Sequence, residues 1–159
     1  EVLSRIGGIC TAQLSDAEQP GELSPSAERA QASEPTSTFE DLSVWQAARE
    51  LRRRFSDLAG RLPPAERFRL ADQVLRASRS VTANIAEGYG RFHYQENIQF
   101  CRQARGSLFE LIDHLTVLQD EGFLDEGEFG SLRSDAFQVI RMLNGYVKYL
   151  RRRKTEDER

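Results

Sequence analysis

The sequence predicts an all-α fold: an antiparallel up-down-up-down four-helix bundle behind an acidic N-terminal tail. Three observations carry that prediction. From Thr38 onward the large apolar residues recur at steps of three or four, and no clear period-2 segment appears. Breaks at Gly60 to Pro64, at Gly88 to Arg91 and at Glu121-Gly122 cut the pattern into four helices. The connections are short, and short connections force antiparallel neighbours.

Helix one follows from Thr38-Phe39-Glu40-Asp41, which resembles an N-terminal cap. Leu42, Trp45, Ala48, Leu51, Phe55 and Leu58 then line one face. Gly60 and Pro63-Pro64 end it, and Pro64 suits the first turn of helix two, where a missing N–H loses no bond. Helix two is expected to run to about Glu87, with Gly88 as its C-terminal stop. It carries two apolar stripes, Phe68/Ala71/Leu75/Ser78/Ile85 and Leu70/Val74/Ala77/Val81. One partner surface needs only one stripe, so helix two is expected to touch more than its own bundle and to drive self-association. Helix three spans Tyr94 to Gln119, with Ile98, Cys101, Ala104, Leu108, Leu111, Leu115 and Leu118 inward. Asp125 to Glu128 supplies the acidic cap of helix four. There Phe129, Leu132, Ala136, Val139, Leu143, Tyr146 and Leu150 alternate steps of three and four, the seam of a left-handed bundle.

The chain has 159 residues, 39% hydrophobic and 30% charged, which suits a single packed domain. No run reaches the roughly 18 apolar residues of a membrane span. The opening Glu1-Val2-Leu3-Ser4-Arg5 lacks the basic start and apolar stretch of a secretory signal. Cys10 and Cys101 make neither a disulfide framework nor a metal spacing, so the reducing cytoplasm is the expected compartment. Residues 1–38 are rich in Ser, Ala, Glu, Gln, Pro and Thr and read as a disordered tail or a mis-set start. The bundle is expected over 39–154, with 155–159 a disordered end. The tail holds six acidic and two basic residues, a net of −4, leaving 20 basic and 19 acidic residues in the rest.

Chemistry is mostly excluded. A di-iron bundle needs two Glu-x-x-His pairs, and neither His93 nor His114 has a Glu three residues before it. His114 reads as an exposed or partly packed helix residue and Cys101 as a small core residue. Gly88-Tyr89-Gly90 follows a helix and lacks a Gly-Lys-Ser/Thr sequence, so it is no phosphate loop. No nucleophile–base set is visible. The expectation is no enzyme, no metal and no cofactor. What remains is basic charge, nearly all of it arginine. Arg52-Arg53-Arg54 and Arg151-Arg152-Arg153-Lys154 are dense clusters, and the topology is expected to gather Arg79, Arg91, Arg102 and Lys148 near the second of them. The opposite end is expected to hold Asp120, Glu121, Asp125, Glu126 and Glu128. Guanidinium forks donate bidentately to phosphates, so these eleven basic residues are the nucleic-acid-binding candidates. The tail, emerging beside Arg151–Lys154, is expected to compete for them. The alternatives are a plain solvated face and a protein-only assembly or adaptor module.

Several motifs resemble one family. Phe39-Glu40-Asp41-Leu42-Ser43-Val44-Trp45-Gln46-Ala47 is similar to the opening of the 23S rRNA-intervening sequence proteins, also called four-helix bundle proteins. The run from Arg79 through Asn84-Ile85-Ala86-Glu87-Gly88-Tyr89-Gly90 to Arg91 resembles the family's most recognisable motif. Phe100, Ala104 and Gly106-Ser107-Leu108-Phe109-Glu110-Leu111 resemble its third helix, and Met142-Leu143-Asn144 to Leu150 its last. The resemblance covers about residues 39–153. It implies a non-enzymatic bundle, encoded in some members inside intervening sequences of large-subunit rRNA genes. A related branch is the pentameric accessory subunit of diversity-generating retroelements. By that relation the implied partners are further copies in a pentamer, RNA and a reverse transcriptase, with no membrane. Trp45, Asn84, Glu87, Gly88, Gly106, Leu108 and Asn144 fall within these motifs as structural positions. Asn84 and Glu87 either tie the end of helix two to its turn or contact a neighbouring subunit.

Overall fold

The computed structural model describes residues 38–91 and 93–157; the tail and the expectations placed on it lie outside the described residues. The described residues open on a capping box. Thr38 accepts from Glu40 N at 3.2 Å, and Asp41 accepts from Thr38 N at 2.9 Å, around a 3-10 turn over Phe39–Asp41. Phe39 meets Trp45 edge to face, with ring centroids 5.1 Å apart. Four helices follow: α1 (Ser43–Arg61), α2 (Leu70–Tyr89), α3 (Tyr94–Asp120) and α4 (Glu126–Asp157).

Hydrogen bonds and ion pairs give the direction of packing. As α1 rises from Arg54 to Arg61, its partners on α4 descend from Asp135 to Glu128. Ser80 of α2 meets Ser107 of α3 at 2.9 Å, and Asn97 and Arg105 of α3 reach Tyr146 and Asn144 of α4. Each helix packs mainly on its two neighbours in the cycle α1–α2–α3–α4. The seam of α4 lies where the seven-residue spacing predicts: Leu132, Ala136, Val139, Leu143 and Leu150 are buried, while Phe129 and Tyr146 are half-buried. Leu108, Leu111, Leu115 and Leu118 face them from α3. Each such side chain contributes about 1.5–3 kcal/mol by burial.

Four details differ from the sequence reading. Pro64 starts a second 3-10 turn, Pro64–Glu66, and α2 begins only at Leu70 because Arg69 leaves helical backbone at φ −112° and ψ −98°. Gly88 is no stop. It lies buried inside α2, which closes one residue later, with Gly90 N bonded to Ala86 O at 3.1 Å. Both stripes of α2 are largely consumed within the chain: Leu70, Ala71, Val74, Ala77, Ser78, Val81 and Ile85 are buried, because α2 lies between α1 and α3. Only Phe68, 85% exposed, and half-buried Leu75 remain from the predicted surplus. Finally, α4 continues three residues past 154, where Thr155 Oγ1 donates to Arg151 O and Glu156 pairs with Arg152 and Arg153.

The connections are built from local chemistry. Gly122 adopts φ +77°, the left-handed conformation glycine tolerates, and its N–H bonds Gln119 O at 3.0 Å. Asp125 Oδ1 then accepts from Glu128 N at 2.8 Å and starts α4, as the acidic cap predicts.

The two motif glycines have opposite consequences. A Cβ at Gly88 would stand 2.8 Å from Asn97 Oδ1 and 2.9 Å from Phe100 Cβ, so α2 and α3 approach closely only because it is absent. A Cβ at Gly106 would meet nothing within 4 Å. Gly88→Ala should therefore destabilise the chain by about 1–3 kcal/mol through overpacking. Gly106→Ala should stabilise it by up to about 1 kcal/mol through helix propensity. Urea unfolding of both variants checks the signs; shifts of the same sign would refute the close approach.

Candidate nucleic-acid interface

The basic residues do not act as sequence clusters. Successive residues on a helix point about 100° apart, so the Arg52-Arg53-Arg54 triplet is scattered around α1. Arg52 donates to Thr82 Oγ1 at 2.8 Å, Arg53 lies 3.6 Å from Glu50, and Arg54 pairs with Asp135 and reaches Ser131 at 3.2 Å. These three hold α1 to its neighbours or to itself. Arg79 is exposed but lies halfway along α2, about 15 Å from its C-terminal end by the rise per residue. It does not join the basic end.

At that end the candidates divide further. Arg91 pairs with Glu87 and lies over the Phe100 ring, 4.7 Å from its centroid. Arg153 is held in its charged form by the Tyr94 hydroxyl first, and Glu156 lies 3.2 Å away. Lys154 is half-buried near the end of α4. Arg102 and Arg151, by contrast, come together with Arg105 and Asn144 along a groove between α3 and α4, a cavity of about 290 Å³ floored by Cys101, Leu143 and Val147. Arg105 donates to Asn144 Oδ1 at 3.1 Å. Among the described residues no carboxylate pairs with Arg102, Arg105 or Arg151. Lys148 and Arg152 lie on the adjoining strip of α4 with Tyr149.

Arg105 and Arg141 escape a search for runs of charge, yet a simpler signal marks them. Between Glu96 and Glu110 on α3, and between Asp135 and Glu156 on α4, the sequence has no acidic residue. Those two stretches carry eight basic ones: Arg102, Arg105, Arg141, Lys148, Arg151, Arg152, Arg153 and Lys154. The expected polarity along the bundle axis is thus mainly a basic α3–α4 face. At the same end Glu40, Asp41 and Glu87 keep α1 and α2 mixed in charge.

The family-motif residues are structural. Trp45 and Leu108 are core, and Arg49 lies over the Trp45 ring at 5.9 Å. Asn84 does not cap the helix end: its Nδ2 donates back to Ser80 O at 2.8 Å and Ser80 Oγ at 3.0 Å, and Ser80 Oγ meets Ser107 on α3. Glu87, through Arg91, does tie α2 to its turn. His114 is buried rather than exposed. Among the described residues its Nε2 finds no hydrogen-bond partner, and Glu110 Oε1 stands 3.7 Å away. Among the described residues no three His, Cys, Asp or Glu side chains gather as metal ligands, and no helix is long and apolar enough to cross a membrane.

Asn97, unmarked in the sequence reading, joins three helices beneath the groove. It is buried, its Nδ2 donates to Tyr146 Oη at 3.1 Å, and its Oδ1 accepts from Cys101 Sγ at 3.5 Å. Burial pushes the Cys101 thiol from 9.0 up to about 11, and burial first of all also raises the Tyr146 phenol. The thiol is therefore protonated at neutral pH and is no nucleophile there. The folded-state value of Cys101 lies above the unfolded one, so its stabilisation is complete below about pH 9 and is lost as pH rises toward 11; that of Tyr146 is lost in the same direction, at higher pH. Melting temperature should fall across that window, and Cys101→Ala should flatten part of the fall. An unchanged profile in the variant would refute the thiol's share.

The comparisons agree with this architecture. Among solved structures, the chain is similar to a protein of unknown function from the S23 ribosomal protein family of Bacteroides thetaiotaomicron. The two share 21% identity at a TM-score of 0.62, over 66% of this chain and 98% of the other, a likeness that shows the fold alone. No curated protein matches the chain. The sequence pattern of one family matches residues 40–145, from the capping turn to the groove-lining turn of α4. With two thirds of its length matched, this chain belongs to the 23S rRNA-intervening sequence protein family.

Proposed function

We propose that the chain is a non-enzymatic bundle that binds RNA along its α3–α4 face. The observation that carries the reading is the pair of acid-free stretches, 97–109 on α3 and 136–155 on α4, with Arg102, Arg105 and Arg151 unpaired by carboxylates among the described residues along one groove. Elsewhere most arginines are neutralised by a neighbouring Glu or Asp: Arg53, Arg54, Arg61, Arg69, Arg76 and Arg91 all have one. A polyanion gains most where basic side chains have no competing partner, because each contact then releases a counterion. The family's description names an intervening sequence of 23S rRNA, which makes RNA the first polyanion to test.

Affinity for a labelled RNA should fall steeply with salt. The triple variant Arg102→Ala/Arg105→Ala/Arg151→Ala should bind at least tenfold more weakly at low salt. Its salt slope should be shallower by about 0.7 for each lost contact to a single strand. Fluorescence anisotropy across a salt series checks this, and identical affinities for both chains would leave the groove an ordinary solvated surface.

A second reading, protein-only assembly, rests on a different surface. Phe68 is 85% exposed beside an apolar cavity of about 390 Å³ at the ends of α1 and α2, lined by Ala59, Leu62, Pro64, Ala71 and Leu75 among others. A knob and a hole of matching chemistry on one molecule suit association of identical chains. In this reading the copies close into a ring, the pentamer that the resemblance implies. Phe68→Ser should then shift light scattering from oligomer to monomer. A monomeric parent chain at micromolar concentration would remove this reading.

A further inference from the structure

Beside the groove, α4 presents a second arrangement. Gly145, Lys148, Tyr149 and Arg152 fall on one strip at steps of three and four and line a shallow cavity of about 300 Å³. Tyr149 is 47% exposed, unusual for so large a ring. One side of it is supported by Tyr146, whose ring lies within 16° of parallel at a centroid distance of 6.3 Å. The Arg152 guanidinium lies over the Tyr149 ring, 5.9 Å from its centroid, with its Nε 3.8 Å from Glu156, an exposed pair that a phosphate would have to displace.

Helical side chains lean toward the N-terminus, so Tyr149 leans over the turn that carries Gly145. A Cβ at Gly145 would meet nothing within 4 Å. A side chain at Gly145 would therefore not touch the ring, and the openness of the approach rests on the exposure of Tyr149 itself. Glycine there disfavours the helix by about 1 kcal/mol relative to alanine, and no close packing within this chain requires it.

A flat ring braced from behind, an open approach and flanking cations suit one ligand chemistry: a planar base carrying phosphates on either side. Every nucleobase has a π-face, and a guanidinium can stack on it as well as bind the adjoining phosphate. Bases in a duplex are already stacked and cannot lie on a side chain at the helix surface. We propose that Tyr149 is a stacking platform for an unpaired nucleobase, with Lys148 and Arg152 taking its flanking phosphates. The nucleic acid gripped by the neighbouring groove is then single-stranded. This rests on the RNA-binding reading above and narrows it to a class of RNA.

The test uses the full chain and two fluorescein-labelled probes, a 12-nucleotide single-stranded RNA and a blunt duplex of the same sequence. Tyr149→Ala should weaken the single strand about tenfold, while Tyr149→Phe should bind it nearly as the parent does. The salt slope of Tyr149→Ala should match the parent's, because no phosphate contact is removed. Duplex affinity should not change. An unaltered single-strand affinity in Tyr149→Ala, or an equal loss on the duplex, overturns the platform. The groove variant separates the two claims: if it still loses affinity when Tyr149→Ala does not, the platform falls and the groove stands. If the parent chain binds neither probe, both fall, and a protein partner becomes the reading of this face. Tyr149 is exposed, and a circular-dichroism melt of each variant confirms that the fold is retained.

Discussion

The buried amide of Asn97 is the constraint on which the basic end depends. It lies against Gly88 of α2, accepts from Cys101 on its own helix and donates to Tyr146 of α4. An apolar seam alone permits helices to slide by a turn with modest loss, since one leucine replaces another. A buried polar group that finds its partners in only one register removes that freedom, because any slip strands its donor or acceptor. The Asn97 donor thus sets α3 against α4, and the close approach at Gly88 places α2 beside the same residue. From that alignment follow the pairing of Arg105 with Asn144, the convergence of Arg102 with Arg151, and the position of Tyr146 behind Tyr149.

Pairing, more than number, distinguishes the arginines. An exposed ion pair adds only about 0–1 kcal/mol, so those between α1 and α4 contribute little to stability. Their larger effect is on the surface field. Arg54 with Asp135 and Arg61 with Glu128 cancel charge along the α1–α4 edge, whereas residues 97–109 of α3 and 136–155 of α4 contain no acid, and only Glu156, on Arg152 and Arg153, offsets their charge at the end of α4. A chain close to neutral overall can therefore carry one strongly basic face, which a net charge of −3 hides.

The fold was legible because its signals repeat. The seven-residue seam of α4 and the Asp125 cap each depend on a few adjacent residues and appear where the spacing places them, whereas the Thr38 box closes a 3-10 turn ahead of α1, which starts at Ser43 with no side-chain cap. The boundaries of α2 were less so: Gly88 carries the composition of a helix stop, and only the nearness of Asn97 reveals it as a packing residue. The burial of His114 and the role of Asn97 had no local signature, since both depend on what a distant segment brings. The candidate site was half legible. Arg102, Arg151 and Asn144 were marked by charge or motif, whereas Arg52 and Arg54 were misplaced because adjacency in sequence disperses side chains around a helix. The absence of acids from two stretches that pack together was readable, but only with the pairing of α3 and α4 in hand.

The length of α4 gives the basic end its rigidity. At 32 residues it spans about 48 Å, against about 28 Å for the 19 residues of α1, and its last core residue is Leu150. Beyond Leu150 the core no longer supports it. The helix persists through local ties, Thr155 to the Arg151 carbonyl and Arg152 and Arg153 to Glu156, and through one reach across to α3, from Arg153 to Tyr94. Cations in a last turn are also favoured by the negative end of the helix dipole. Lys154 is the basic residue of that last turn, and the local ties hold Arg151 and Arg152 on regular helix one turn earlier. A ligand meeting them encounters side chains whose backbone is already fixed, so binding orders rotamers alone and loses less entropy than a flexible basic tail would. A basic run in sequence becomes a surface with geometry because the helix outlasts the bundle.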